Sequence, residues 1–231
     1  MKKILLVIFI ITIQKALPIP RNYGEFMWAM YQDIQGNNTI ARHIFNHLLE
    51  QDKCAYIYLG YIPHLFTTEE YRTIISLTPT IKKHFPRHRD MQLTLAKSLT
   101  QFNKIKEADD IYITNAGEHP YHTESIYYGA LSLAKRKEFQ RALTLINEYL
   151  NNKVEQRPDF LFYFLKAQIY LLLKDEQQAI QSYEKALELN PALLQSNRQK
   201  LHRQKKSQWL FSLHNSLSGI QPIHYHTSSL I

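Results

Sequence analysis

One cysteine in 231 residues, Cys54, leaves no intrachain disulfide to form. That absence is neutral about compartment, because a core of stacked helices needs no covalent staple. Six glycines and nine prolines leave few tight turns. Charged residues make up 21% of the chain, too few and too mixed in sign for a disordered polymer. Catalytic signals are missing as well. There is no glycine-rich phosphate loop and no serine nucleophile in a strand–turn–helix setting, and Cys54 has no evident histidine partner. No acidic residue follows Glu188.

What is present is a helix–turn–helix unit at residues 160–191, FLFYFLKAQIYLLLKDEQQAIQSYEKALELNP. Tyr163, Lys166, Ala167 and Tyr170, then Ala179 and Tyr183, then Ala186 and Pro191, place large residues where two helices meet. They place small residues where backbones come close. Pro191 ends the second helix, since proline lacks a donor and disfavours a helical residue before it. The segment resembles the tetratricopeptide repeat family, whose pattern is W-x2-L-G-x2-Y…A-x3-F…P. It departs at Lys166, where the family usually has Leu.

A single repeat cannot bury its own apolar face, so further copies are expected about 34 residues apart. Anchors at Ala41, Ile74, Ala108, Ala142 and Ala179 differ by 33, 34, 34 and 37 residues, and Pro86 and Pro120 are also 34 apart. Ala29, Ala96 and Ala130 are small residues of first helices, and Gly36 and Phe139 mark turns. The second unit departs most. Ile62 and Ile74 occupy its small positions, and Pro63 and Pro79 fall inside both of its helices. That pattern fits either an imperfect repeat with two bent helices or an irregular helical insert.

The resemblance implies an all-α fold: a right-handed α-solenoid of about five tetratricopeptide-like helix–turn–helix repeats with a C-terminal capping helix. The expected organisation is 1–20 as a signal peptide or N-terminal anchor and 21–191 as the array. The repeats fall at about 22–54, 55–88, 89–122, 123–159 and 160–191. A basic capping helix at 192–213 and an irregular tail at 214–231 complete the chain.

Lys2 and Lys3 precede the apolar run Ile4–Ile13, and Pro18 follows it, the order of a secretory signal peptide. The run is short of the ~20 residues that span a bilayer. Three readings stand: a cleaved signal of an exported (periplasmic or secreted) protein, an uncleaved membrane anchor, or a structural segment. No cysteine follows the run, which excludes lipoprotein processing. The formal net charge is +8. Lys2, Lys3 and Lys15, with Arg198, Lys200, Arg203, Lys205 and Lys206, account for that whole surplus, so residues 21–191 balance. This disfavours nucleic acid as a partner, which calls for a basic face on the folded domain. In the 192–213 helix, Leu193, Leu194, Leu201, Trp209, Leu210 and Phe211 can face inward and the basic patch outward. That is either a solenoid cap or a basic amphipathic helix for an anionic membrane surface.

The resemblance also implies a binding groove lined by one face of each first helix. That face carries Phe26 and Met30, then Tyr56, Leu59 and Phe66, then Leu93 and Lys97. Tyr127, Tyr128 and Leu131 follow, then Leu161, Phe164, Leu165, Gln168 and Leu172. The lysine, arginine and asparagine set with which some family members hold a peptide carboxylate is absent. An apolar, aromatic groove suits a helical or extended hydrophobic segment of a protein partner, or else is filled by the chain's own tail, its N-terminal segment or a dimer mate. Eleven histidines raise the question of metal, with His43 and His47, His84 and His88, and His224 and His226 as pairs. No acid or cysteine completes any pair locally, so no metal and no cofactor is assigned. The reading is a non-catalytic protein-interaction scaffold, with a membrane-surface adaptor as the alternative.

Overall fold

The computed structural model describes residues 22–152 and 160–191. The segments expected to be the signal or anchor, the basic capping helix and the tail lie outside these residues. Eleven helices hold 82% of the described residues, and no strand occurs among them. They are α1 (Tyr23–Ile34), α2 (Asn38–Gln51), α3 (Ala55–Thr67), α4 (Tyr71–Ser76), α5 (Thr78–His84) and α6 (Arg89–Gln101). There follow α7 (Ile105–Glu118), α8 (Thr123–Lys135), α9 (Phe139–Asn152), α10 (Phe160–Leu172) and α11 (Glu176–Leu189). The fold is an all-α helical repeat.

The repeat is written into the backbone. Gly36, Glu69, Asn103, Lys137 and Lys174 all have φ between 56° and 77°, in the left-handed region. Each stands in the turn between the first and second helix of a pair, and each precedes its anchor by five residues. The residue after it donates to the carbonyl five back: Asn37 to Gln32, Glu70 to Leu65, Lys104 to Leu99, Glu138 to Leu133 and Asp175 to Tyr170, at 2.8–2.9 Å. The left-handed residue itself donates three back. These are five Schellman motifs, which satisfy the last carbonyls of each first helix and reverse the chain.

The second pair is irregular for a stated reason. Pro63 lies inside α3, and Pro79 lies in the first turn of α5. A proline is tolerated in a first turn because its missing donor has no intrahelical partner there. The second helix therefore breaks at Leu77 into α4 and α5. The small position is also corrected: the close approach in α3 is made at Gly60, not Ile62. A Cβ on Gly60 would meet Met30 Sδ at 2.5 Å and Phe26 at 2.9 Å. Ile62 is a buried core residue.

The chain divides into two compact units within α7, between Ile111 and Tyr112. In the first, α1 packs on α2 and α3, and α3 packs on α6. Its core includes Ala29, Ala41, Phe45, Leu65, Ile74 and Leu95, all fully buried. In the second, α8 packs on α9 and α10, and α10 packs on α11. Its core gathers Ile126, Ala130, Ala142, Ile146, Phe162 and Ile169, with a smaller cluster of Ala167 and Tyr183.

Candidate functional site

Side-by-side packing of first helices presents one face of each to a common surface within a unit. In the second unit that surface belongs to α8 and α10. Tyr127, Tyr128 and Leu131 on α8 are half-buried, as are Leu161, Phe164 and Gln168 on α10. Leu172 is 57% exposed. The tyrosines are held rather than free. Tyr128 stacks on Tyr112 at 4.8 Å, while Tyr127 meets Tyr128 and Phe162 edge-on at 5.7 and 6.0 Å. Phe164 packs edge-on against Tyr183 at 5.5 Å. Rigid aromatics of this kind supply contact area at low entropic cost. None of the six half-buried residues is charged.

In the first unit, Phe26 meets Tyr56 edge-on at 5.3 Å, joining α1 to α3. Phe66 takes Tyr71 at 5.5 Å, and the Lys97 ammonium sits 5.9 Å from its ring centre. The structure thus brings Phe66 and Lys97 together, in cation–π range. Leu59 is 39% exposed. Two assigned positions are corrected. Leu93 and Leu165 are 2% and 3% exposed, so they are core and line no surface. Helix α10 is apolar nearly all round, and such a sequence has no polar stripe from which to fix its phase. The basic residues Arg198, Lys200, Arg203, Lys205 and Lys206 lie outside the described residues.

Sequence reasoning missed a polar network in the first unit. His64 is fully buried in α3. Its Nδ1 lies 2.6 Å from Asp33 Oδ1 on α1, and Arg42 Nε of α2 donates to its Nε2 at 3.2 Å. Because a guanidinium only donates, Nε2 must accept and Nδ1 must carry the proton given to Asp33. Arg42 also pairs with Glu70 through both terminal nitrogens and donates to Thr68 at 3.2 Å. The Arg42 hydrogen bond holds the Glu70 carboxyl below the usual carboxylate range, and Glu70 in turn raises Arg42. This network ties three helices and a turn together. The only sequence signal was a histidine inside an otherwise apolar helix. Among the described residues no group of three or more His, Cys, Asp or Glu is placed to hold a metal.

Residues 161–193 match the tetratricopeptide repeat family model. No curated protein matches the chain. Among solved structures, it is similar to YrrB, described as a TPR protein with an unusual peptide-binding site. The TM-score is 0.65 at 16% identity, over 77% of this chain and 91% of that one. It is also similar to MamA 41-end from Desulfovibrio magneticus RS-1, with TM-score 0.64 at 10% identity, over 76% and 98%. A second MamA structure, MSR-1 C2, gives 0.59 at 16% identity, over 74% and 98%. The tetratricopeptide resemblance read from the sequence is therefore shown, in the final repeat by its residues and more widely by its fold.

Proposed function

We propose that this chain, with its tetratricopeptide fold, is a non-catalytic scaffold that binds a helical or extended hydrophobic segment of a partner protein. The observation that carries the proposal is the aromatic and apolar surface that Tyr127, Tyr128, Leu131, Leu161, Phe164 and Gln168 form on α8 and α10, with Glu124 and Lys135 at the two ends of the α8 stripe. Its tyrosines and Phe164 are fixed by ring packing, yet among the described residues the face stays partly exposed. YrrB, of similar fold, is described as having a peptide-binding site, which supports the same class of function. The experiment is titration of the purified chain with amphipathic and charged peptides, with Leu161→Asp, Leu131→Asp and Gln168→Glu as variants. Loss of binding to apolar peptides with an unchanged melting temperature supports the reading. Equal binding by all variants removes it.

A membrane-surface adaptor is favoured by one observation, the run of basic residues from Arg198 to Lys206 with no acid after Glu188. It predicts binding to anionic vesicles that falls as salt shortens the Debye length, ~8 Å at physiological ionic strength.

A further inference from the structure

No described residue covers the outer face of α1. Tyr23, Met27, Trp28, Tyr31 and Ile34 form an uncharged stripe, with Trp28 54% and Ile34 76% exposed. Trp28 and Tyr31 stack on one another at 5.3 Å with ring planes 16° apart. A terminal helix of a repeat array normally turns a polar face outward, and this one does not.

The other first helices show what that face is for. Trp28 stands one residue before Ala29 and Tyr31 two after it. At the same offsets from Ala96, Ala130 and Ala167 stand Leu95 and Ser98, Gly129 and Ser132, and Lys166 and Ile169. All are buried except half-buried Lys166. In the second unit the neighbour at this position is identified. A Cβ on Gly129 would collide with Ala116 and lie 3.2 Å from the Tyr112 carbonyl, both on α7. Lys166 Nζ donates to Asn147 Oδ1 of α9 at 2.9 Å. The offset occupied by Trp28 therefore faces the second helix of the preceding repeat, and α1 has no described repeat before it.

We propose that the occupant of that face is this chain's own apolar segment 4–17. The sequence phase agrees. Val7 is one 34-residue period before Ala41. Pro18 is two periods before Pro86 and three before Pro120, the prolines that follow second helices. Ile4–Ile13 carries no charge, matching the uncharged stripe. Five residues, 18–22, link that segment to Tyr23, and the chain crosses from α2 to α3 and from α7 to α8 with fewer. A tether this short holds the segment at millimolar effective concentration beside α1.

The test uses the full chain with Trp209→Phe, which leaves Trp28 as the single tryptophan. Trp28 should emit as a shielded indole and resist acrylamide at every protein concentration. Val7→Asp and Ile11→Asp should red-shift the emission and raise quenching several-fold, with helical content by circular dichroism retained. Equal, free quenching in the parent and both variants overturns the proposal. So does shielding that vanishes on dilution, which assigns the face to a second copy. Shielding that needs phosphatidylcholine–phosphatidylglycerol vesicles assigns it to a membrane. An intact mass lacking the first residues through Ala16, in protein recovered from cells, also overturns it.

Discussion

Lys166 Nζ donates to Asn147 Oδ1 at 2.9 Å, linking α10 to α9 at the position where the tetratricopeptide pattern places leucine. The ammonium also lies 6.0 Å from the Tyr170 ring centre. The departure from the pattern is thus a polar contact between adjacent repeats.

Burial lowers the Lys166 pKa below its ordinary 10.5. Below the lowered value the folded state carries the full desolvation cost. As pH rises toward 10.5 the folded state releases its proton before the unfolded state does, so stability rises with pH in that window. Lys166→Leu should stay within about 1 kcal/mol of the parent at pH 7, because one hydrogen bond is exchanged for relief of desolvation. Its stability relative to the parent should then decline toward pH 10. Urea melts of both proteins at pH 7 and pH 10 read this, and parallel behaviour would count against the assigned burial.

Glu69, Asn103, Lys137 and Lys174 hold left-handed backbone without being glycine. A residue with a Cβ pays roughly 1–2 kcal/mol there. Lys137→Gly and Lys174→Gly should therefore stabilise by up to about 1 kcal/mol once the extra chain entropy of glycine is subtracted. Thermal melts test this. A loss of stability in both would mean that the lysine side chains hold the turns by contacts of their own.

Gly129 and Gly60 both sit in helices, where alanine is intrinsically favoured by ~1 kcal/mol. At Gly129 the obstacles are the Ala116 Cβ and a backbone carbonyl, which cannot step aside. Overpacking of ~1–3 kcal/mol should win, so Gly129→Ala destabilises. At Gly60 the obstacles are the ends of the Met30, Phe26 and Phe45 side chains. Gly60→Ala should cost less. Equal melting temperatures for the two variants would contradict this difference in surroundings.

Arg42→Met should be among the more damaging single changes in the first unit. It strips a donor from buried His64, at ~1–3 kcal/mol for a stranded buried group, and takes the ion partner from Glu70, which is 38% exposed and keeps its hydrogen bond from Thr68, so solvent offsets much of that second loss. The Glu70 carboxyl is depressed, so its contribution is present above its unfolded value and lost as pH falls through the folded one. Denaturant melts between pH 7 and pH 3 should show the parent losing stability faster than Arg42→Met in the acid range. Identical slopes would place the Arg42–Glu70 pair outside the stability of the fold.

Much of the fold was legible because a repeat states the same packing rule several times. The left-handed residues are spaced 33, 34, 34 and 37 apart, the spacing of the small-residue anchors. Only Gly36 announces such a turn by its residue type. Glu69, Asn103, Lys137 and Lys174 carry side chains, and it is the folded backbone that shows them in the same turn, five residues before Ile74, Ala108, Ala142 and Ala179. The site was less legible. Tyr127, Tyr128, Phe164 and Gln168 stand half-buried on first helices, but Leu93 and Leu165 are core. A helix such as α10, apolar on every side, fits several rotations about its axis equally well in sequence.

The sequence by itself determined the helical class, the repeat period and the second-helix prolines. Helical periodicity, small residues and missing amide donors act locally, and each leaves its mark in the residues concerned. Tertiary structure alone decided the rest: Gly60 rather than Ile62 at the close approach, and the burial of His64 between Asp33 and Arg42. Those partners lie 31 and 22 residues from His64 along the chain. Their meeting depends on how three helices stack, and no local pattern of residues records that.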